Sequence, residues 1–546
     1  MAVPLLADAE PVAAEGADGT IVMVAPDGSF EVLAAAGSAK AALYQVAAHN
    51  GMDPAFPDSV LAEVHAWERA PAIDAPDLDD LTHLTFVTID GKTSRDLDQA
   101  LHVESEGDGH VVRYALADAS FYVRPGSALF DEALRRGASY YLPGLMIPML
   151  PRALSEGLVS LNPNVERRAL VFTMHLDADG RCTRTALSRA RIRSRAKLDW
   201  EGVQAFYDGG DGFDDAIEDN LHGLAEVGRR RMALAEARGV VRYRRSEVVV
   251  KLAGHEGLRF VVLEDVRRPV ERYNEQISLL CNVEGARMLR DGESNGEHVE
   301  PIYRVHPPPD ADKLRAFERM LDALVRGRQL DPDVWGWNAS SGKPLADYLD
   351  RLPTEGEEGR LARAIHRQAV MVNVRSTFQT VPSGHHGVGA EVYARFSAPM
   401  REIVGVYLHG EAWEKLRGEG RKDEALREAI VERANEAKQL QRKVTDESNR
   451  LVLDQLFREG GEFAGTVMGM TRGKIHVMLD LPPIDVKVYM GHQQRFAKGD
   501  LKVSEDGSVL SEDRGSTLCR LGDEVAVRVR GRDEKKDRWI LTVEQR

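Results

Sequence analysis

The 546-residue chain is short of several things, and each shortage removes a class of protein. Its three cysteines, Cys182, Cys281 and Cys519, are odd in number and far apart. That excludes a disulfide scaffold or a CxxC metal site and fits a reducing compartment. No apolar run approaches the roughly 20 residues that cross a bilayer, and "MAVPLLADAEPVAAEGADG" lacks the basic start of a secretion signal. A cytoplasmic protein without membrane association is expected. A net positive charge is also lacking, and the net charge of -15 at pH 7 argues against indiscriminate attraction to nucleic acid. A basic channel inside an acidic shell stays compatible with that figure. Repeats and low-complexity segments are absent, and 43% hydrophobic with 29% charged residues describes an ordinary folded chain long enough for about three domains.

The patterns present divide the chain. "IVMVAPDGSFEVLA" alternates around Pro26-Asp27-Gly28 and reads as a hairpin. Ser38 caps a helix ending at Asn50-Gly51, and "PDSVLAEVHAWERA" reads as a second helix, so residues 1–70 form a small hairpin-plus-helices module. Residues 71–83, rich in Pro and Asp, read as a linker. Strands such as "LTFVTI", "HVVRYALADA", "RALVFTMHL" and "LRFVVLEDV" then precede mostly helical segments through residue 457, an α+β pattern. From residue 458 to 546, five short strands with glycine turns suggest a small β-barrel of OB type suited to single-stranded nucleic acid. Two basic stretches stand out as possible tracks for a phosphate backbone: residues 181–200, where six arginines and Lys197 meet only Asp199, and the segment from Gly228. Solvated faces of strands and helices would give the same pattern.

In "TFVTIDGKTSRDLDQAL", residues 85–101, a strand-like run leads into Asp90, Asp96 and Asp98, followed by Gln99. Two unit charges about 4 Å apart repel by roughly 4 kcal/mol at a protein surface, so converging carboxylates call for a cation. Mg²⁺ suits them, because it takes one or two carboxylates and completes its shell with water and phosphate oxygens. The spacing fails as an EF-hand loop, since Gly91 and Lys92 follow Asp90. Asp96 and Asp98 share a side of an extended segment but not of a helix, which places them on an extended or irregular loop.

This cluster is accompanied by "YALADASFYVRPGSALFDEALRRGASYYLPGLMIPMLPRALSEGLVSLNPNVERRALVFTMHLDADG", "RSRAKLDWEGVQAFYDG", "VERYNEQISLLCNVEGARML", "PIYRVHPPPDADKLRAF" and "GHHGVGAEVYARFSAPMRE". In this order, over roughly residues 57–410, they resemble the catalytic domain of the RNase II, or RNB, family of bacterial exoribonucleases. The terminal barrel resembles the family's RNA-binding domain of ribosomal-protein type. The resemblance implies a magnesium-dependent enzyme of RNA turnover that hydrolyses single-stranded RNA from the 3′ end to nucleoside 5′-monophosphates. It also implies a monomer with no obligate protein partner. Asp90, Asp96 and Asp98 match the catalytic metal cluster, with Gln99 where the family usually has a fourth aspartate, so metal affinity is expected to fall. Tyr141 and Tyr243 match the aromatics that hold terminal bases, Trp200 a further aromatic near the channel entrance, and Glu275 the acid that meets the terminal ribose. Arg401 matches the arginine that grips phosphate, although Glu402, Ile403 and Gly405 depart from the residues that usually follow it. His306, His386 and His409 match family positions and read as packing residues. Residues 1–70 cannot hold the two cold-shock barrels common in the family, and a winged helix-turn-helix relative that helps admit RNA is expected instead. A catalytically weakened RNA-binding regulator on the same fold is the alternative, and a metal-dependent endonuclease or DNase is a weaker one.

Overall fold

A long arginine-rich strand closes the central sheet. The computed structural model describes residues 5–6, 17–24, 28–241, 247–265, 267–512 and 516–546. Its first elements follow local signals. β1 (Ile21–Val24) and β2 (Phe30–Ala34) pair antiparallel, with part of the expected turn, residues 25–27, outside the described residues. α1 (Ala39–His49) is capped by the Ser38 hydroxyl, which accepts the Ala41 N–H at 3.1 Å. α2 (Asp58–Arg69) follows, then the short β3 (Asp79–Asp80), β4 (Phe86–Asp90), β5 (Gln99–Glu106) and β6 (Gly109–Ala117). Next come α3 (Ala119–Tyr122), α4 (Ala128–Arg136), β7 (Tyr140–Leu142), β8 (Leu145–Ile147), β9 (Glu166–Leu176) and the 18-residue β10 (Cys182–Asp199). After them lie α5 (Trp200–Tyr207), α6 (Asp215–Ala237), the hairpin β11 (Glu247–Ala253) and β12 (Arg259–Asp265), and α7 (Pro269–Ser294).

β10 pairs antiparallel with β9 along its first part and parallel with β4 along its last, so β4, β5, β6, β9 and β10 form a ring. Phe86, Val87, Leu101, Tyr114, Leu116 and Phe172 fill its core, each at most 2% exposed. The arginines of this strand are largely committed to carboxylates. Arg189 joins Arg168 on the buried Asp118 at 3.0 and 3.4 Å, Arg191 reaches Asp74 and Asp80, each at 2.8 Å, and Arg193 reaches Glu166 at 2.5 Å. Residues 182–199 thus form a sheet strand with most of its arginines paired, which favours the strand-face reading of this stretch over the phosphate track. Of the second basic stretch, Arg230 pairs with Glu226 and Arg231 donates to the Gly180 carbonyl at 3.1 Å, while residues 242–246 lie outside the described residues.

The N-terminal helices are divided between two cores. Val60 and Val64 of α2 enter the core of the ring, and Glu63 accepts the Ala128 and Leu129 N–H groups at the start of α4 at 2.8 and 3.0 Å. Leu43 of α1, 0% exposed, belongs to a second core with Phe260 of β12, Val444, Val452 and Phe457 of the helix Glu424–Phe457, and Val477 and Val527 of the C-terminal sheet. The expected separate module of residues 1–70 therefore shares its cores with the rest of the chain. That C-terminal sheet has five antiparallel strands in the order Asp485–Tyr489, Lys474–Leu479, Glu462–Met470, Glu524–Asp533, Arg538–Gln545. Three further strands between Leu501 and Arg520 make a second small sheet that the sequence reading passed over. They are only three or four residues long, too short for alternation to register. Among the described residues, no helix is long and apolar enough to cross a membrane.

Two measurements test this packing. Leu43→Ala is expected to destabilise the main unfolding transition by about 2–5 kcal/mol in urea, the cost of a core cavity, whereas an independent module would leave its midpoint unmoved. In the helix Ile403–Arg417, burial pushes the Glu411 carboxyl up to about 7, against the Glu300 N–H that it accepts at 2.6 Å. The folded chain then holds a proton that the unfolded chain releases near the ordinary value of 4.5, so this group's contribution to stability falls as pH rises from about 4.5 to about 7. Glu411→Gln is expected to remove that fall, seen as a smaller drop in Tm between pH 5 and pH 8 than in the unaltered protein.

Candidate active site

Antiparallel pairing of β4 with β5 brings Asp90, the last residue of one strand, near Gln99, the first of the next. The intervening loop is anchored on both flanks. Ser160 accepts the Leu97 N–H at 3.0 Å and donates to the Arg95 carbonyl at 2.7 Å, while Lys197 of β10 donates to the carbonyls of Lys92 and Ser94. The irregular conformation expected for Asp96 and Asp98 is therefore present and held in place.

Each acid has its own engagement. Both hydrogen bonds of Asp90 fall on Oδ1, from the Gly91 N–H at 2.6 Å and the Ser94 hydroxyl at 3.0 Å. Asp96 Oδ2 accepts the Tyr141 hydroxyl at 3.2 Å. Asp98, 2% exposed, accepts the Met400 N–H on Oδ1 at 2.9 Å and the Arg401 guanidinium on Oδ2. Burial pushes the Asp98 carboxyl up to about 6, with Arg401 and the Met400 N–H acting against it. The Arg401 pKa is raised, chiefly by Asp98, with Tyr141, Asp90 and Asp96 adding to the effect. Asp98 contacts this guanidinium directly, and Asp90 and Asp96 act on its charge without an ion pair.

Arg401 is positioned by its neighbours. Its carbonyl accepts the Ser139 N–H at 2.9 Å, and the Ile403 N–H donates to the Gly137 carbonyl at 3.0 Å. Glu402, one of the departures from the family pattern, is buried beside Lys438 at 2.8 Å and Arg395 at 3.5 Å. Burial alone would raise its pKa, but Arg395 and Lys438 outweigh it and hold the carboxyl at about 2. The departure has a structural role, tying the Arg401 segment to the long helix.

A cavity of about 170 Å³ is lined by Asp90, Gln99, Tyr114, Trp200, Asn274 and Arg401, among others. Trp200 opens α5, which Asp199 caps by accepting the Gly202 N–H at 2.8 Å, and Asp199 stands in register with Asp90. Tyr141 is 51% exposed at the edge of the aspartate group. Glu275 pairs with Arg267 at 3.1 Å and does not line the cavity; Asn274, the residue before it, does. Tyr243 lies outside the described residues. His409 is buried and donates Nε2–H to the Phe396 carbonyl at 2.9 Å, and His306 Nδ1 accepts the Gly387 N–H at 2.9 Å, so both are packing residues.

Several site residues escaped the sequence reading. Gln99 Oε1 accepts the Ser278 hydroxyl at 3.1 Å, and Ser278 shares a 2.6 Å hydrogen bond with Tyr114. Asn274 and Ser278 are four apart on α7, a spacing that puts them on one face and was the available signal. The buried Thr88 hydroxyl also borders the cavity, with no hydrogen-bond partner among the described residues.

A metal fits this donor set in kind. Among the described residues, no three His, Cys, Asp or Glu side chains stand close enough to hold an ion, and Asp98 has both oxygens engaged. Asp90 and Gln99 face the cavity with the oxygen donors that hard cations take, and substrate phosphate can supply more. The Asp98–Arg401 contact yields a prediction. Arg401→Met strands a buried carboxylate and is expected to destabilise the protein by roughly 3 kcal/mol. Asp98→Asn costs less, because the amide oxygen still accepts the Met400 N–H; urea unfolding of both variants compares them.

Comparison with known proteins supplies the remaining findings. The RNB domain model matches residues 78–411. Ribonuclease R of Escherichia coli is 29% identical over 497 residues, covering 86% of this chain and 58% of that protein. Exoribonuclease 2 of Yersinia pseudotuberculosis is 29% identical over 446 residues, covering 79% and 66% respectively. The chain thus spans less than two thirds of the length of these relatives. Mycoplasma genitalium RNase R, solved with ribose-methylated single-stranded RNA, shares the fold with a TM-score of 0.82 at 21% identity, covering 95% of this chain and 81% of that one. A family model spanning more than half the sequence, over the segment that holds the aspartates and Arg401, establishes that this chain belongs to the RNB family.

Proposed function

We propose that the protein is a 3′-to-5′ exoribonuclease that hydrolyses single-stranded RNA to nucleoside 5′-monophosphates in RNA turnover. The observation that carries this reading is the pairing of Asp98 with Arg401 at a cavity lined by Asp90, Gln99 and Arg401, in a chain of the RNB family. Mg²⁺, held by Asp90 and Gln99 with Asp96 and Asp98 alongside, would polarise the scissile phosphate and the attacking water.

The chain's own groups bind and orient. Arg401 is a charged fork shaped for phosphate oxygens, and Asp98 is its positioning residue, aiming the guanidinium before RNA arrives. Tyr141 is exposed enough to stack on a base, and with Tyr243 and Trp200 it would hold the 3′ end without demanding a sequence. Glu275, partly exposed on α7, offers an acceptor for a ribose 2′-hydroxyl, the group that separates RNA from DNA. In the hydrolysis, water adds its oxygen to phosphorus, the 3′ oxygen of the shortened strand leaves with a proton, and the released nucleotide keeps the 5′-phosphate. In the C-terminal sheet region, Phe496 is 51% exposed with Arg530 at 5.1 Å from its ring, a pairing suited to bases and phosphates.

A second reading is favoured by one specific observation. Gln99 replaces a charge with an amide already engaged by Ser278, which fits an RNA-binding regulator with weakened chemistry. Products separate the two. With 5′-labelled single-stranded RNA and Mg²⁺, the enzyme reading expects stepwise shortening to a small remnant and mononucleotides. It also expects no action on the matching DNA, loss of activity in EDTA, and at least a 100-fold lower rate in Asp98→Asn. Intact RNA bound equally by both proteins would establish the regulator, and internal fragments would establish an endonuclease.

A further inference from the structure

A groove of about 710 Å³ lies between residues 375–377 and one face of the helix Glu424–Phe457. None of its lining residues belongs to the catalytic cavity. The helix residues on it recur from Asn435 to Arg450 at spacings of three, four and seven, a single face about 22 Å long at 1.5 Å per residue. That face is polar throughout, although the helix is otherwise packed into the second core. Its position is fixed by Asn435, whose side chain accepts the Phe378 N–H and donates to the Phe378 carbonyl, each at 2.9 Å.

The charge in the groove is not balanced. Arg375, Lys438, Arg442, Lys443 and Arg450 line it, against Asp446 and Glu447. Lys438 is paired with Glu402 at 2.8 Å, Lys443 with Glu447 at 3.9 Å, and Arg450 with Asp537. Arg375 and Arg442 have no carboxylate within ion-pair distance among the described residues. Further cations crowd the same place. The Arg304 guanidinium lies 4.4 Å from the centre of the Phe378 ring, and its Nη1 is buried without a hydrogen-bond partner among the described residues. Burial lowers the Arg304 pKa, and Arg395 and Arg442 lower it further against the pull of Glu402. Glu402 supplies the counter-charge for Arg304, Arg395 and Lys438, which leaves Arg375 and Arg442 suited to an anion from outside the chain.

The groove is also connected to the candidate active site. Lys438 bonds Glu402, the residue directly after Arg401. Gln441 of the same helix donates to the Ser139 carbonyl at 3.1 Å, and the Ser139 N–H donates to the Arg401 carbonyl at 2.9 Å. An elongated groove lined by cationic side chains, with a wall bonded to Glu402 and Ser139 on either side of Arg401's backbone contacts, matches a nucleic-acid backbone.

We propose that this groove holds the phosphate backbone of the RNA strand upstream of the bond cut at Arg401, with Arg375 and Arg442 contacting phosphates. The inference rests on the RNA-degrading reading above. The test measures binding of a 20-nucleotide single-stranded RNA and of a tetranucleotide in EDTA, across a salt series, for the unaltered protein and Arg375→Gln/Arg442→Gln. Two lost contacts at about 0.7 each make the plot of log affinity against log salt shallower by about 1.4 for the long RNA. Tetranucleotide affinity stays the same, and Arg442→Lys, which keeps the charge, retains the slope. A variant that melts like the unaltered protein and keeps the full slope overturns the proposal, as does an equal loss for the tetranucleotide. Failure of the unaltered protein to bind either RNA would overturn the enzyme reading itself.

Discussion

The pairing of Asp98 with Arg401 is the contact on which the arrangement of the site depends. It joins residues 303 apart in sequence and places a carboxylate that is 2% exposed against a guanidinium. Removing two charges from water costs several kcal/mol per ion, and only good geometry with further hydrogen bonds offsets it. Here the Met400 N–H supplies one such bond to Asp98, and the backbone on either side of Arg401 is stitched to Gly137 and Ser139. The pair therefore fixes where the aspartate loop, the Tyr141 strand and the arginine segment meet.

The surrounding fold holds that junction still. A single strand, β10, seals the central ring by pairing with β9 and β4 in succession, and its lysine pins the aspartate loop from below. The long helix Glu424–Phe457 then links the Arg401 segment, through Lys438 and Glu402, to a core shared by α1, the β11–β12 hairpin and the C-terminal sheet. Residues that look like departures from the family pattern take part in these links. Glu402 is an anchor, and Gln99 is one end of a neutral hydrogen-bonded chain through Ser278 to Tyr114. In such a network a neutral amide is satisfied where a further carboxylate would add repulsion beside Asp90 and Asp98.

Much of this could be read locally. The hairpin, the Ser38 cap, both N-terminal helices and the five longer C-terminal strands follow from periodicity and capping chemistry, and the structure has them. The basic stretch of residues 181–200 left two readings open, because the carboxylates that neutralise it lie at Asp74, Asp80, Asp118 and Glu166 and are brought alongside only by folding. The packing of the residue 1–70 helices against the rest of the chain was not legible for a related reason. A Pro- and Asp-rich segment can connect two elements in extended form while their apolar faces enter cores built from distant parts of the chain.

By itself the sequence determined which residues are the candidates for the chemistry: three aspartates on an irregular loop, an arginine in a recognisable segment, and aromatics. Those identities are legible because short spacing on a strand or loop fixes which side chains can converge. Tertiary structure alone decided that Arg401 pairs with Asp98, that Asn274 lines the cavity while Ser278 bonds Gln99, and that Glu275 turns to Arg267. Each of those outcomes is a contact or its absence between segments that only folding brings together, and no local pattern encodes the partner on the other side.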